Sequence, residues 1–129
     1  MKRLALLITL AATAHAAPPE SFWRALHLVE TSGRHGPILG DNGRALGPLQ
    51  IHRAYHADAR IGGDYARCAD LDYSRRVVSA YLQRYAPAAW AAGDVTTLAR
   101  IHNGGPAGAR KSATMNYGAK VARLAGGAR

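Results

Sequence analysis

Apolar residues recur at helical spacing near the start of the chain. Phe22, Leu26 and Val29 are separated by four and three positions, which places them on one face of a helix. Ser21 is a candidate N-terminal cap, and the helix is expected to end near residues 30 to 32, before a glycine-rich stretch. This pattern predicts a first amphipathic helix with one buried face.

The second half of the chain contains three more stretches with helical spacing. Their apolar positions are Val77, Val78, Tyr81, Leu82 and Tyr85 in the first, Val95, Leu98 and Ile101 in the second, and Tyr117, Val121 and Leu124 in the third. Ala86-Pro87 is expected to end the first of these helices. Asp94 and Ser112 are candidate N-terminal caps of the second and third.

A glycine-rich insert separates the first helix from the rest of the chain. Five glycines lie between Gly33 and Gly47, and Asp41-Asn42-Gly43 is typical of a tight turn at the tip of a small hairpin. A short helix is expected at about Leu49 to Ala59. The pattern therefore predicts a small, mostly α domain with a short glycine-rich hairpin or loop after the first helix, and we expect the functional site near that insert.

The N-terminal residues have the layout of a secretory signal peptide. Lys2 and Arg3 precede an apolar run, and Ala14-His15-Ala16 matches a small-residue cleavage site. Because the apolar run is too short to span a bilayer, we expect cleavage after Ala16, export, and no stable insertion into the membrane. The alternative is a retained N-terminal anchor. Residues 1–16 are thus predicted to be a signal peptide and residues 17–129 a single domain.

The charge of the chain narrows the range of partners. The 129 residues include 17 Lys and Arg against 8 Asp and Glu, for a net charge of +9. Loss of residues 1–16, which contain two cations and no acid, leaves +7. This charge favours polyanions, and outside a cell these include cell-wall polymers. No basic tract is interleaved with aromatic residues, so we expect no nucleic-acid partner.

The single cysteine, Cys68, excludes an internal disulfide framework and a cysteine-rich zinc site. We expect its side chain to act as a small buried apolar group. His52 and His56 have the spacing of a metal-binding pair, but Asp58 is the sole further candidate ligand nearby. We therefore predict no metal and no cofactor.

Two carboxylates are candidates for catalysis, whereas most of the other acids lie at helix starts or in turns. Glu30 follows Leu28 and Val29 at the end of an apolar helix, and apolar surroundings favour the protonated form that a general acid requires. The alternative is an exposed residue paired with Arg34. Asp41 lies eleven residues later, in the glycine-rich turn, where it could be an ordinary turn residue. If the hairpin folds back over the helix end, both carboxyl groups face one cleft, as glycoside hydrolysis requires.

Several short motifs follow one another along the chain. The first half contains Glu30-Thr31-Ser32-Gly33, Asp41 in its turn, Gly47-Pro48-Leu49-Gln50-Ile51, Tyr55 and Asp58. The second half contains Tyr81-Leu82-Gln83-Arg84-Tyr85, Ala99-Arg100-Ile101-His102-Asn103-Gly104-Gly105-Pro106, and then Thr114, Tyr117, Lys120 and Val121. In this order they resemble the motifs of the invertebrate-type lysozymes, the destabilase family, over about residues 26 to 124.

The resemblance implies an α+β lysozyme-like fold and cleavage of the β-1,4 bond between N-acetylmuramic acid and N-acetylglucosamine in peptidoglycan. It implies Glu30 as the proton donor and Asp41 as the nucleophile or transition-state carboxylate. Contacts to the saccharide are expected from Gln50, His52, Tyr55, Tyr81, His102, Asn103 and Gly104. Amide and imidazole groups suit sugar hydroxyl and acetamido groups, and tyrosine rings suit sugar faces. Tyr81 as a core residue and His102 as a helix-end cap are the alternatives.

The chain departs from the animal members of this family, which carry many disulfides, so its fold must rely on packing. Without cysteine anchors the loop to Asp41 is less constrained. A lytic transglycosylase that uses Glu30 alone therefore stays open, as does a non-catalytic cell-wall-binding module. We expect an enzyme that acts as a monomer on peptidoglycan, in the periplasm or after secretion.

Overall fold

The computed structural model describes residues 17–127, and the predicted signal peptide lies outside them. The helices of this region are α1 (Glu20–Thr31), α2 (Arg53–Ala59), α3 (Leu71–Tyr85), α4 (Pro87–Ala92), α5 (Val95–Gly104) and α6 (Met115–Gly126). The strands are β1 (Leu39–Gly40), β2 (Ala45–Leu46) and β3 (Ile51–His52). The predicted mostly α fold with a small hairpin insert is confirmed. No helix in this part of the chain has the length and apolar character needed to cross a bilayer.

Helix α1 presents its apolar face to a core shared with the C-terminal helices. Phe22, Leu26, Leu98 and Val121 are fully buried, and α1 and α5 both pack against α6. The prediction that Ser21 caps α1 is wrong, because Pro19 already holds the extended N-cap conformation and Glu20 is helical. Pro19 has no side-chain donor or acceptor, and no side chain caps this end.

The C-terminal end of α1 is fixed to the hairpin segment. The helix ends at Thr31, as predicted, because Ser32 adopts the left-handed conformation with φ +57° and its N–H donates to the Leu28 carbonyl. The buried Thr31 hydroxyl donates to the Pro48 carbonyl at 3.0 Å. Glu30 therefore lies in a helical turn whose position relative to the hairpin segment is set by a buried hydrogen bond.

The glycine-rich insert forms a three-stranded antiparallel sheet in the order β1-β2-β3. Gly40 pairs with Ala45 around the Asp41-Asn42-Gly43 turn, so the predicted hairpin tip is confirmed. The helix predicted from Leu49 is wrong over its first four residues. Ile51 pairs with Leu46 and His52 pairs with Ala45, so these two residues are extended and α2 begins at Arg53.

The later helix boundaries agree with prediction in part. Asp94 caps α5, where its carboxylate accepts the Thr97 N–H at 3.1 Å, and α3 ends at Tyr85, before Ala86-Pro87. Ser112 does not cap α6. It lies in a separate 3₁₀ turn, Ser112–Thr114, because the buried Thr114 hydroxyl donates to carbonyls before the helix.

The segment around Cys68 supports the base of the hairpin. The Cys68 side chain is fully buried, as predicted, and the Ser74 hydroxyl donates to its carbonyl at 2.7 Å. Gly47 has φ +84°, and a Cβ at this position would overlap the same Cys68 carbonyl. The close approach of these two backbone segments requires glycine at position 47.

Candidate active site

A cleft of about 480 Å³ opens between the end of α1, the hairpin and the helices α2, α3 and α5. Its walls are formed by Glu30, Asp41, Ala45, Gln50, His52, Tyr55, Tyr81, His102, Asn103 and Gly105. These include eight of the nine residues that the sequence analysis predicted for the site. The fold thus brings together residues from α1, the sheet, α2, α3 and α5.

Gly104 is the one predicted site residue that does not line the cleft. Its carbonyl accepts a hydrogen bond from Lys111 Nζ, and a Cβ at this position would approach the Thr114 methyl group. Gly104 therefore packs against the segment that precedes α6. The next residue, Gly105, lines the cleft instead, with φ +84°.

The Glu30 carboxyl group is shielded and held by two partners. Its side chain is 17% exposed. The Tyr117 hydroxyl donates to Glu30 Oε1, and His102 Nε2 lies 3.3 Å from the same oxygen. Arg34, the partner expected for an exposed Glu30, donates through Nε to the Thr31 carbonyl instead. Glu30 thus faces the cleft with a defined orientation, while α6 and α5 supply its contacts.

A second pair of contacts orients His102. Its Nδ1 lies 2.9 Å from the Tyr55 hydroxyl, and the Tyr55 ring stacks on Tyr81 at 3.6 Å between centroids. Burial raises the pKa of Tyr55 well above its ordinary value, with Tyr81 and Glu30 adding to the effect, so the hydroxyl keeps its proton. When this hydroxyl donates to Nδ1, the ring proton of His102 lies on Nε2 and points at Glu30.

Tyr117 stays protonated for the same physical reason. Burial raises its pKa well above the ordinary value, and the nearby Glu30 carboxylate raises it further. Its hydroxyl is therefore a donor to Glu30 over the whole neutral range. Desolvation likewise raises the pKa of Tyr81 to about 12, so the aromatic wall of the cleft carries no charge.

Asp41 occupies a more exposed position on the hairpin tip. Its side chain is 46% exposed and contacts Arg44 Nη2 at 3.0 Å and His52 Nε2 at 3.2 Å. Asp41 also has φ +49°, one of several positive values in this turn. The acid is therefore held by polar neighbours from its own hairpin and from β3, and not by a disulfide.

Gln50 closes the base of that hairpin. Its Nε2 donates to the Ile38 carbonyl at 3.2 Å and to the Gly47 carbonyl at 2.9 Å. Both amide protons are used in these bonds, so the amide oxygen is the group left to accept a hydrogen bond from a ligand. Gln50 accordingly supports the loop that carries Asp41 and also contributes to the cleft wall.

The arrangement suits acid and base chemistry at an acetal. One carboxyl group is shielded and bonded to Tyr117 and His102, while the other is half exposed among charged groups. Two carboxyl groups in unlike environments can divide the roles of proton donor and ionised carboxylate. Within residues 17–127 no group of three His, Cys, Asp or Glu side chains is placed to hold a metal ion.

Sequence reasoning did not assign Tyr117 to the site. Its spacing with Val121 and Leu124 indicates a buried helix face, and the motif resemblance placed it in the last helix without a role. Nothing in that spacing shows that the hydroxyl reaches a carboxyl group 87 residues earlier in the chain. Ala45, another lining residue, was missed because an alanine carries no chemical signal.

No family model matches the chain. Among curated proteins, it is 43% identical to lysozyme 1 of Crassostrea virginica over 82 residues, which is 62% of this chain and 45% of that protein. It is 35% identical to a lysozyme of Meretrix lusoria over 84 residues, covering 64% of this chain and 69% of the relative. It is also 37% identical to invertebrate-type lysozyme 6 of Caenorhabditis elegans over 85 residues, which is 57% of this chain and 62% of that protein. The match thus spans about half the length of the Crassostrea virginica protein.

The fold agrees with these relatives. The crystal structure of Tapes japonica lysozyme superposes with a TM-score of 0.70 and 30% identity, over 85% of this chain and 95% of that one. The agreement therefore extends through most of the described residues, including the elements that carry Glu30, Asp41 and His102. Because the sequence and the fold both match, the chain belongs to the invertebrate-type lysozyme family.

Proposed function

We propose that this protein is a peptidoglycan-cleaving glycoside hydrolase, a muramidase acting on the β-1,4 bond between N-acetylmuramic acid and N-acetylglucosamine. The observation that carries the proposal is the presence of Glu30 and Asp41 in the walls of one cleft, on different elements of the fold. Family membership and the lysozymes among its relatives support the same substrate class.

Glu30 serves as the general acid in this proposal. Protonated Glu30 transfers its proton to the glycosidic oxygen while the bond from that oxygen to the anomeric carbon breaks. Tyr117 and His102 hold the resulting carboxylate in place through the contacts to Oε1. A water molecule then adds to the anomeric carbon and returns a proton to Glu30, which restores the starting state.

Asp41 serves as the second carboxylate. It either stabilises positive charge at the anomeric carbon or attacks that carbon as a nucleophile. In the second case the water molecule displaces Asp41, and the bond from Asp41 to the anomeric carbon breaks. Arg44 and His52 contact its two oxygens, and both partners have exposed side chains. Because these contacts come from the hairpin and the adjoining strand, the position of Asp41 depends on the hairpin remaining closed over the cleft.

The saccharide contacts divide into exposed and buried groups. His52 and Asn103 are exposed at the cleft and are proposed to bond sugar hydroxyl or acetamido groups. Tyr81 and His102 are buried, and Tyr55 is half-buried against Tyr81, so these rings form the wall behind the sugar. Gly104 is removed from the proposed contacts.

Mass spectrometry of fragments released from purified peptidoglycan tests the proposal. The wild type is expected to release fragments that end in reducing N-acetylmuramic acid. Glu30→Gln should lower the rate at least about a hundredfold, the usual contribution of a general acid. Asp41→Asn should also lower it strongly. Asp72→Asn removes an exposed acid from the first turn of α3 with the same change in charge, and should leave the rate unchanged.

Other products would select a different function. Fragments ending in 1,6-anhydro-muramic acid, with Asp41→Asn fully active, identify a lytic transglycosylase that uses Glu30 alone. Release of no fragment, together with wall binding that survives Glu30→Gln, identifies a wall-binding module. Either result contradicts the hydrolase proposal.

We also propose that the protein is exported, that residues 1–16 are removed, and that residues 17–129 act as a monomeric domain in the periplasm or after secretion. The N-terminal layout supports export, since cationic residues precede a short apolar run and a small-residue cleavage site. The intact mass of the exported protein tests cleavage after Ala16, and light scattering tests the monomer.

A further inference from the structure

A second cavity lies beside the cleft, at the hairpin and the start of α2. It has a volume of about 330 Å³ and is lined by Gly43, Arg44, His52, Arg53 and Ala54. His52 lines both cavities, so the second one continues from the cleft beside Asp41. We call these five residues the arginine groove. Arg53 takes no part in the proposed reaction, and Arg44 takes part only by holding Asp41.

The two arginines of the groove differ in their partners. Arg44 is held by Asp41, with Nη2 on the carboxylate at 3.0 Å and Nε on the carbonyl at 3.1 Å. Arg53 has no carboxylate partner among residues 17–127. The groove therefore carries one guanidinium group whose charge is not balanced by a neighbouring acid.

The position of Arg53 is nevertheless defined. Its guanidinium carbon lies 4.5 Å from the centroid of the Tyr65 ring, a cation–π contact. The Tyr65 hydroxyl in turn donates to the Ile51 carbonyl at 2.7 Å, which ties the ring to β3. A guanidinium plane placed in this way presents its N–H donors in the fork geometry that matches a carboxylate.

We propose that the arginine groove binds a carboxylate of the peptide that muramic acid carries in peptidoglycan, with Arg53 as the principal ligand. This inference rests on the proposed function, because a muramic acid residue bound in the cleft carries its peptide with it, and His52 joins the cleft to the groove. The carboxylates of that peptide are anions tethered to the sugar. The groove would therefore favour peptide-bearing glycan over glycan without peptide.

Binding of two soluble disaccharides tests the groove without requiring catalysis. N-acetylglucosaminyl-N-acetylmuramic acid is titrated into the purified protein with and without its attached peptide, by calorimetry at low salt. Arg53→Gln should weaken binding of the peptide-bearing form about fivefold, the upper range for an exposed ion pair. It should change binding of the peptide-free form by less than about twofold, and the difference should shrink at high salt.

Arg60→Gln is the matched control, since Arg60 is exposed at the opposite end of α2 and does not line the groove. It removes the same charge and should change neither affinity. Equal weakening by both variants would show a general effect of net charge, and would overturn the proposal. Equal weakening of the two ligands by Arg53→Gln would assign the groove to the sugar or its lactyl carboxylate, which also overturns it.

Hydrolysis assays separate this inference from the proposed function. If the wild type cleaves peptidoglycan but Arg53→Gln leaves both affinities unchanged, the groove assignment fails while the muramidase stands. If the wild type releases no fragments yet Arg53→Gln selectively weakens the peptide-bearing ligand, the muramidase fails while the groove assignment stands.

Discussion

Replacement of Tyr117 by phenylalanine removes one hydroxyl group and leaves the ring in place. That hydroxyl donates to Glu30 Oε1, so the change removes a hydrogen bond that is stronger to the carboxylate than to the protonated acid. Hydrogen bonds to charged groups contribute about 1.5 to 3 kcal/mol. Because Glu30 is 17% exposed, water can replace part of the bond, and the lower end of that range applies.

The expected result follows because Glu30 becomes a carboxylate as it releases its proton. Loss of the Tyr117 donor removes about 1.5 kcal/mol of stabilisation from that carboxylate, which corresponds to about a tenfold change in rate. In Tyr117→Phe, kcat/KM should therefore fall about tenfold, which is less than the loss expected for Glu30→Gln.

The assay is the initial rate at which reducing ends are released from peptidoglycan, measured over a range of substrate concentrations. Tyr73→Phe is the matched control, since the Tyr73 hydroxyl bonds to the Gly62 carbonyl and to His56, away from the cleft. It should leave kcat/KM at the wild-type value. An unchanged or raised kcat/KM in Tyr117→Phe would refute the assignment of Glu30 as a general acid whose carboxylate form is stabilised by Tyr117.

Three further predictions concern stability and reactivity. Gly47→Ala should lower the free energy of unfolding in urea by about 2 to 3 kcal/mol, because φ is +84° and the new Cβ would overlap the Cys68 carbonyl. A wild-type midpoint would contradict this close approach. Arg75 lowers the pKa of Glu20 from 4.5, so the pair adds stability above that pH and loses it as the pH falls through the lowered value. Between pH 7 and pH 2 the free energy of unfolding should therefore fall less in Arg75→Gln than in the wild type. Because the site is exposed, the difference should be less than about 1 kcal/mol, measured by urea unfolding. Burial raises the pKa of the Cys68 thiol to about 11, so iodoacetamide should label the native protein at least about tenfold more slowly than the unfolded protein. Equal labelling rates would show that the thiol is accessible.

The ends of helices and the hairpin turn were predictable where a local sequence signal determined them. Asp94 preceded an apolar stretch and caps α5, and the Asp41-Asn42-Gly43 turn forms the hairpin tip. Periodicity failed where pairing across the chain overrode it. Ile51 and His52 belong to an apparently helical stretch, yet their partners in β2 draw them into a strand.

Most of the residues that line the cleft could be predicted from sequence motifs, and fewer from the chemistry of the individual residues. Glu30, Asp41 and His102 were predicted for the site because their residue types and order match a family pattern, and all three line the cleft. Tyr117 was not assigned because its hydroxyl meets Glu30 only after α6 has packed on α1. Gly105 lines the cleft and Gly104 does not, since a sequence motif does not distinguish which of two adjacent glycines turns towards the cleft.

The contacts around Glu30 also determine when the site exists during folding. Tyr55, His102 and Tyr117 come from three helices, and Tyr117 lies 87 residues after the carboxyl group that it contacts. No contiguous fragment that stops before Met115 contains the full set. Contacts of such long sequence separation form late and together with the rest of the core. Recovery of catalysis after dilution from urea should therefore coincide with the final cooperative step of refolding, and enzymatic turnover would serve as a kinetic probe of complete chain assembly.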